Sequence, residues 1–273
     1  MAEFVRFRQV YEAIFYQSKT PLQWAMDEVA TQAARLLVDL NDYQYEGMDY
    51  VTDDGLENWY ALSRVHDMLV CQLYGKHSRE LTKDAYVIWW EWVGLTTREP
   101  STYHPFWHEI VELIEDDTLT EPVQIEYFFW PALTFGELLF ARAGVRVRVQ
   151  PELFIKTQAE RHTLFFTFTR SWRPTEDLSK GWGSNSQWRT DFRRDYATKM
   201  GYWFNRDGRC DLTPGHLPST WSPDDCFSEE LSYEEHVELL VNRCFVRTPK
   251  PDKSYCIEEC RLFVPYENAK HLR

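Results

Sequence analysis

The chain has 273 residues, 44% of them hydrophobic and 27% charged, and its 43 acidic and 30 basic side chains leave a net charge of −13. That much apolar material builds a core and excludes wholesale disorder, and the length is near the upper limit for a single core, which points to two halves. The acidic balance makes nucleic acid an unlikely partner, because phosphate-backbone affinity comes from cations that displace condensed counterions.

The N-terminus scatters Glu3, Arg6, Arg8 and Glu12 among short apolar patches, without the layout of a secretory signal. The longest uncharged apolar-rich run, Tyr127–Gly136, contains Pro131 and falls short of the ~20 residues that span a bilayer. A soluble, cytoplasmic protein with no membrane association is therefore expected. Six cysteines, at 71, 210, 226, 244, 256 and 260, sit in a chain with ample core, so reduced thiols are expected rather than a disulfide framework. Cys256-x3-Cys260 is a single pair at a spacing that structural zinc sites use twice. Neither a metal nor a cofactor is expected.

In chain order, Thr20-Pro21 with Gln23 reads as an N-cap, first-turn proline and capping box, opening a helix to Asn41. Asp54-x-x-Glu57 opens a second, with Trp59, Leu62, Leu69 and Leu73 on one stripe and Gly75 at the stop. Ala85–Val93 is apolar nearly all round and is read as a helix rather than a strand. Trp89, Trp90 and Trp92 cannot all face inward on it, so at least one covers a neighbouring half or a partner. Pro105 starts a further helix through Phe106, Ile110, Leu113 and Ile114. It also pushes His104 out of helical geometry, so His104 caps that helix and does not join His108 as a metal ligand. Thr134-x-x-Glu137 begins a short helix ending at Gly144. Residues 1–144 are thus predicted to be a mainly helical domain.

After Gly144 the period changes. Val145–Val149 alternates strictly, with three valines on one face of a strand and Arg146 and Arg148 on the other. His162–Thr169 reads as a second strand, and Met200–Phe204 and Arg209–Leu212 flank Asn205–Gly208 as a hairpin. Pro214–Asp225, with three prolines, reads as a long loop. Ser232-x-x-Glu235 caps a helix, and Tyr255–Val264 is a final strand. Residues 145–273 are predicted to be an α+β domain with an antiparallel sheet. The fold class expected is α+β, a helical N-terminal half packed on that mixed C-terminal half.

No G-x-S-x-G, Walker, G-x-G-x-x-G or H-E-x-x-H signature occurs. Residues 131–210 carry +6, whereas residues 1–130 carry −14 and residues 211–273 carry −5. Within the basic part, Gly181–Arg209 interleaves three Trp and five Arg with Asn, Ser and Gln. Trp182, Asn185, Trp188, Arg189, Arg193 and Arg194 have the composition of an interface hot spot, rigid anchors beside planar cations. Two other readings compete. The arginines pair internally with the chain's own surplus carboxylates, or Arg189 and Arg193 hold a phosphate or carboxylate while Asp191 or Asp195 acts as a base.

Its overall character, an acidic, Trp-rich α+β chain without catalytic motifs, is of the kind seen in bacterial toxin-immunity and phage anti-defence proteins, and no motif assigns it to either. The function expected is that of a non-enzymatic acidic binding protein, an inhibitor that neutralises or regulates another macromolecule. Its charge would steer it to a basic protein partner, and its clustered tryptophans favour a homo-oligomer. The alternative is an enzyme acting on an anionic substrate through residues 181–209.

Overall fold

The computed structural model describes residues 27, 31, 37, 41–46, 53–74, 81–160, 192–215, 231–249 and 260–269. The chain divides into two compact units. The first comprises Met1–Thr97, Leu133–Gly136 and Thr163–Phe192; the second comprises Arg98–Ala132, Glu137–His162 and Arg193–Arg273.

The first unit is built on helices α1 (Asp53–Tyr74) and α2 (Lys83–Val93). On α1, Trp59, Leu62 and Leu69 of the predicted stripe are buried, joined by Val65, whereas Leu73 is only half-buried. Helix α2 confirms the helical reading of the apolar run. The Thr82 hydroxyl accepts the Ala85 N–H at 3.1 Å, and Gly94 ends the helix at φ 108° with its N–H directed to Trp90 and Glu91 carbonyls. Tyr86, Trp89, Trp90 and Val93 turn inward, and Trp90 packs on Tyr86, Trp89 and His66. Trp92 is the tryptophan left outside, 64% exposed.

The predicted helical half does not extend to Gly144. From residue 96 onward the chain is mostly strand: β1 (Thr96–Arg98), β2 (His108–Glu115), β3 (Val123–Trp130), β4 (Ala132–Phe135), β5 (Leu138–Ala141) and β6 (Ala143–Val149). The reason lies in two local patterns. In β2 the register against β6 slips between Ile110 and Glu112, leaving Val111 as a bulge. The bulge turns Ile110, Val111 and Leu113 all inward, which imitates helical spacing in the sequence. In β4 and β5 every residue is buried, so no alternation betrays the strands, and Gly136 between them turns at φ 62°. Gly144 is not a helix stop. It lies within β6 in the second unit, where an added Cβ would meet the Trp130 ring at 2.3 Å.

The second unit holds a three-stranded sheet in the order β2-β6-β3, with β2 parallel and β3 antiparallel to β6. It also holds the strand run β5-β7-β8-β10-β9, where β7 is Asp195–Ala197, β8 Gly201–Phe204, β9 Cys210–Asp211 and β10 Cys260–Pro265. The remaining helices are α3 (Lys156–Ala159), α4 (Tyr233–Asn242) and α5 (Tyr266–Ala269). Val145, Val147 and Val149 are buried as predicted and join Ile110, Phe204, Leu240, Val241 and Leu262 in one core. On the opposite face Arg146 bridges Glu112 (2.5 Å) and Glu126 (3.7 Å), and Arg148 bridges Asp116 and Glu126 (both 2.9 Å), a ladder of cross-strand charges.

Strands β8 and β9 do not form the expected hairpin, because β10 runs between them, antiparallel to β8 and parallel to β9. The Asn205–Gly208 connection therefore crosses over β10. Asn205 takes the left-handed conformation at φ 51° and its Nδ2 donates to the Cys260 carbonyl at 2.6 Å. Gly208 is needed for close approach, since a Cβ there would lie 2.3 Å from that carbonyl oxygen. Helix α4 carries the predicted capping box between Ser232 and Glu235. Of the predicted first helix, Asp27, Thr31 and Leu37 are described and helical, and the Thr31 hydroxyl donates to the Asp27 carbonyl at 2.9 Å; the His162–Thr169 strand and most of the Pro214–Asp225 loop lie outside the described residues.

The expectation of six reduced thiols fails at Cys210, which is disulfide-bonded to a partner outside the described residues. Cys71, Cys244 and Cys260 are thiols outside any disulfide. Alkylation of the denatured, unreduced protein followed by peptide mapping should label those three and leave Cys210 unlabelled until reductant is added. Replacing Gly144 by Ala should lower unfolding free energy in urea by about 1–3 kcal/mol, the cost of overpacking against an immobile ring.

Candidate functional site

Of the six sequence-predicted contact residues, Trp182, Asn185, Trp188 and Arg189 lie outside the described residues, as does Asp191. Arg193 and Arg194 are described, and they turn inward. Arg193 Nε donates to Asp195 Oδ1 and its Nη2 to the Leu240 carbonyl, both at 2.7 Å. Arg194, 1% exposed, forks onto Asp207 through Nε (2.7 Å) and Nη2, while its Nη1 donates to the Tyr196 hydroxyl at 3.1 Å. Both guanidiniums are held by the chain's own acceptors and brace the Asn205–Gly208 crossover.

The centre of that network is Asp195, fully buried at the start of β7. Its Oδ1 accepts from Arg193 and from the Asn205 main-chain N–H (2.7 Å), and its Oδ2 accepts from Arg243 Nη2 (2.9 Å). Burial pushes this carboxyl upward, but Arg193, Arg243 and Arg142 together outweigh burial and hold it at about 2. Arg142, between β5 and β6, is 3% exposed and donates Nη2 to the Val241 carbonyl at 2.7 Å. Burial, then the neighbouring Arg243, lowers its pKa to about 9, against the opposing pull of Asp195. Arg142 and Arg193 thus both supply donors to carbonyls at the end of α4, where the helix leaves them without intrahelical partners.

Sequence reasoning marked Arg193 and Asp195 but missed Arg142 and Arg243. Each is a lone charge in an apolar run, LLFA-Arg142-AGV and VN-Arg243-CFV, and that isolation was the available signal.

His104 and His108 flank the cluster. His104 leads into the Pro105–Trp107 turn and His108 is the first residue of β2, so His104 caps no helix. His108 Nδ1 accepts the His104 N–H at 3.0 Å, which leaves the proton on Nε2, directed to the Pro100 carbonyl at 3.1 Å. Burial lowers both imidazoles to about 4, keeping them neutral. Among the described residues, no three His, Cys, Asp or Glu side chains converge as metal ligands would.

A second feature lies on the surface of the first unit. Outward along α2 stand Ala85, Ile88 and Trp92, spaced three and four apart, with Ile88 67% exposed, and beside them Asp84 and Glu91. Glu91 also accepts the Thr97 hydroxyl at 2.7 Å. No helix among the described residues is long and apolar enough to cross a membrane. No known protein family, curated protein or solved structure matches this chain.

The buried groups set an acid response. A histidine whose folded pKa is depressed binds fewer protons in the native state, so its contribution is complete above ~6.5 and is lost as pH falls toward 4. The depressed Asp195 then loses its contribution between about 3.8 and 2. Urea titrations should show stability falling first below pH 6.5, by up to about 3 kcal/mol for His108, with a shallower fall in His108→Gln. Asp195→Ala at pH 7 should cost on the order of 3–5 kcal/mol, because it leaves buried guanidiniums unpaired.

Proposed function

We propose that this protein is a non-enzymatic acidic binding protein that docks α2 against a basic protein and thereby neutralises or regulates it, in the manner of an immunity or anti-defence inhibitor. The observation that carries this reading is the outward stripe of Ala85, Ile88 and Trp92 on a helix whose other face is fully packed. An aromatic anchor with an aliphatic neighbour one turn away is the side-chain set that a grooved partner grips. Asp84, Glu91 and the net charge of −13 select for basic groups around that groove and raise the encounter rate.

A second copy of the chain is the less favoured occupant, because self-pairing through α2 would bring the same carboxylates together. The homo-oligomer expected from the clustered tryptophans therefore ranks below a heteromeric complex, and light scattering separates the two. The enzyme alternative loses support as Arg193 and Asp195 are held by internal partners. The cytoplasmic location expected from the sequence belongs to the same proposal. The Cys210 disulfide weighs against it, because such bonds are transient in a reducing cytosol.

Basic proteins retained by the wild-type chain and lost by Trp92→Ala are the candidates, and their affinities are then measured directly. Trp92→Ala should weaken binding by about 2 kcal/mol or more while leaving the melting temperature unchanged. Association should slow as salt shortens the Debye length below ~10 Å, with dissociation less affected. Equal affinity of wild type and Trp92→Ala for every retained protein would refute the assignment to α2.

A further inference from the structure

We infer that the arginine cluster around Asp195 is a binding site for a small tetrahedral oxyanion of the phosphate or sulfate class. The inference concerns the second unit alone and does not depend on the role given to α2.

Two guanidiniums from separate parts of the chain, Arg193 and Arg243, bond one carboxylate, and a third, Arg142, lies within its electrostatic reach. Among the described residues Asp195 and Glu109 act on Arg142 as acids, and Arg243 and Arg193 act on it with the opposite sign. The neighbouring titratable groups do not change that balance. His104 and His108 are held neutral, and burial raises the Tyr103 hydroxyl out of the range in which it ionises.

The donor inventory points the same way. Arg142 uses Nη2 on Val241, and Arg243 uses Nη2 on Asp195, yet the Nε of each is buried without a hydrogen-bond partner. Buried donors on charged groups are costly to leave unmade. An oxyanion accepts from Nε, offers several acceptor oxygens at once, and adds negative charge where Arg243 and Arg193 bear on Arg142. Arg142 is enclosed, whereas the Arg243 side chain is 35% exposed, so Arg243 forms the mouth of the site. No bond is made or broken; the site holds an anion and does not transform it.

The test is thermal unfolding of the full chain with inorganic phosphate against sodium chloride at matched ionic strength, with acetate as the carboxylate control. Phosphate at millimolar concentration should raise the melting temperature saturably, by several degrees, and acetate should do so much less. Arg243→Met, at the exposed mouth, should fold and lose the saturable response. Arg142→Met removes the enclosed donor; if it fails to fold, isothermal titration of phosphate into wild type and Arg243→Met still decides the matter. A response that rises linearly without saturation, or that survives unchanged in Arg243→Met, would overturn the inference. So would equal effects of phosphate and chloride.

Discussion

The second unit turns on one buried carboxylate. Asp195 sits where β7 begins, accepts the N–H that starts the β8–β9 crossover, and anchors the guanidinium of the residue that ends α4. Arg193, held by Asp195, reaches on to the Leu240 carbonyl, and Arg142 reaches the next one. A helix end, a strand start and a loop are thereby tied through a single charge. Loss of the carboxylate is the costly change, since it abandons buried guanidiniums in a poor dielectric, whereas without half-exposed Arg243 the carboxylate still holds Arg193. The same charge explains why Asn205 holds a left-handed conformation: its main chain is pinned to Asp195 and its side chain to β10.

The first unit uses different physics. Trp59 and Trp90 are completely buried, and aromatic contacts to Phe135, Phe192, Tyr86, Trp89 and His66 surround them. Large rings at helical spacing bury much area with few rotatable bonds, so α2 can be fixed by one face alone. That leaves its other face free of any packing duty. Exposed Ile88 and Trp92 therefore contribute nothing evident to the stability of α2, which is why their exposure bears on function.

What was legible in the sequence follows from how local the determining interaction is. The capping box of α4, most of the inward stripe of α1 and the alternation in β6 are set within one turn or one strand, and residue types alone announced them. So was the arithmetic that three neighbouring tryptophans cannot share one helix face. Strands β2, β4 and β5 were misread because the deciding facts are distant: a bulge imposed by pairing with β6, and complete burial from both sides. The β8–β9 hairpin was misread for the same reason, since β10 arrives from more than fifty residues away to part the two strands. The site was legible by half. Arg193 and Asp195 stood in a conspicuous basic segment, but their partners Arg142 and Arg243 come from elsewhere in the chain and only the fold assembles them.

That assembly also separates what stability requires from what it does not. The N-terminus of α4 is satisfied by a capping box of one hydroxyl and one carboxylate. Its C-terminus, by contrast, draws in Arg142 and Arg193, each of which must be stripped of water. Desolvating guanidiniums is costly, and a buried ion cluster often stabilises a fold no better than apolar side chains of the same volume. The buried Nε donors of Arg142 and Arg243, which meet no hydrogen-bond acceptor among the described residues, exceed what holding a helix end demands. The excess is of the sign and geometry that an oxyanion complements.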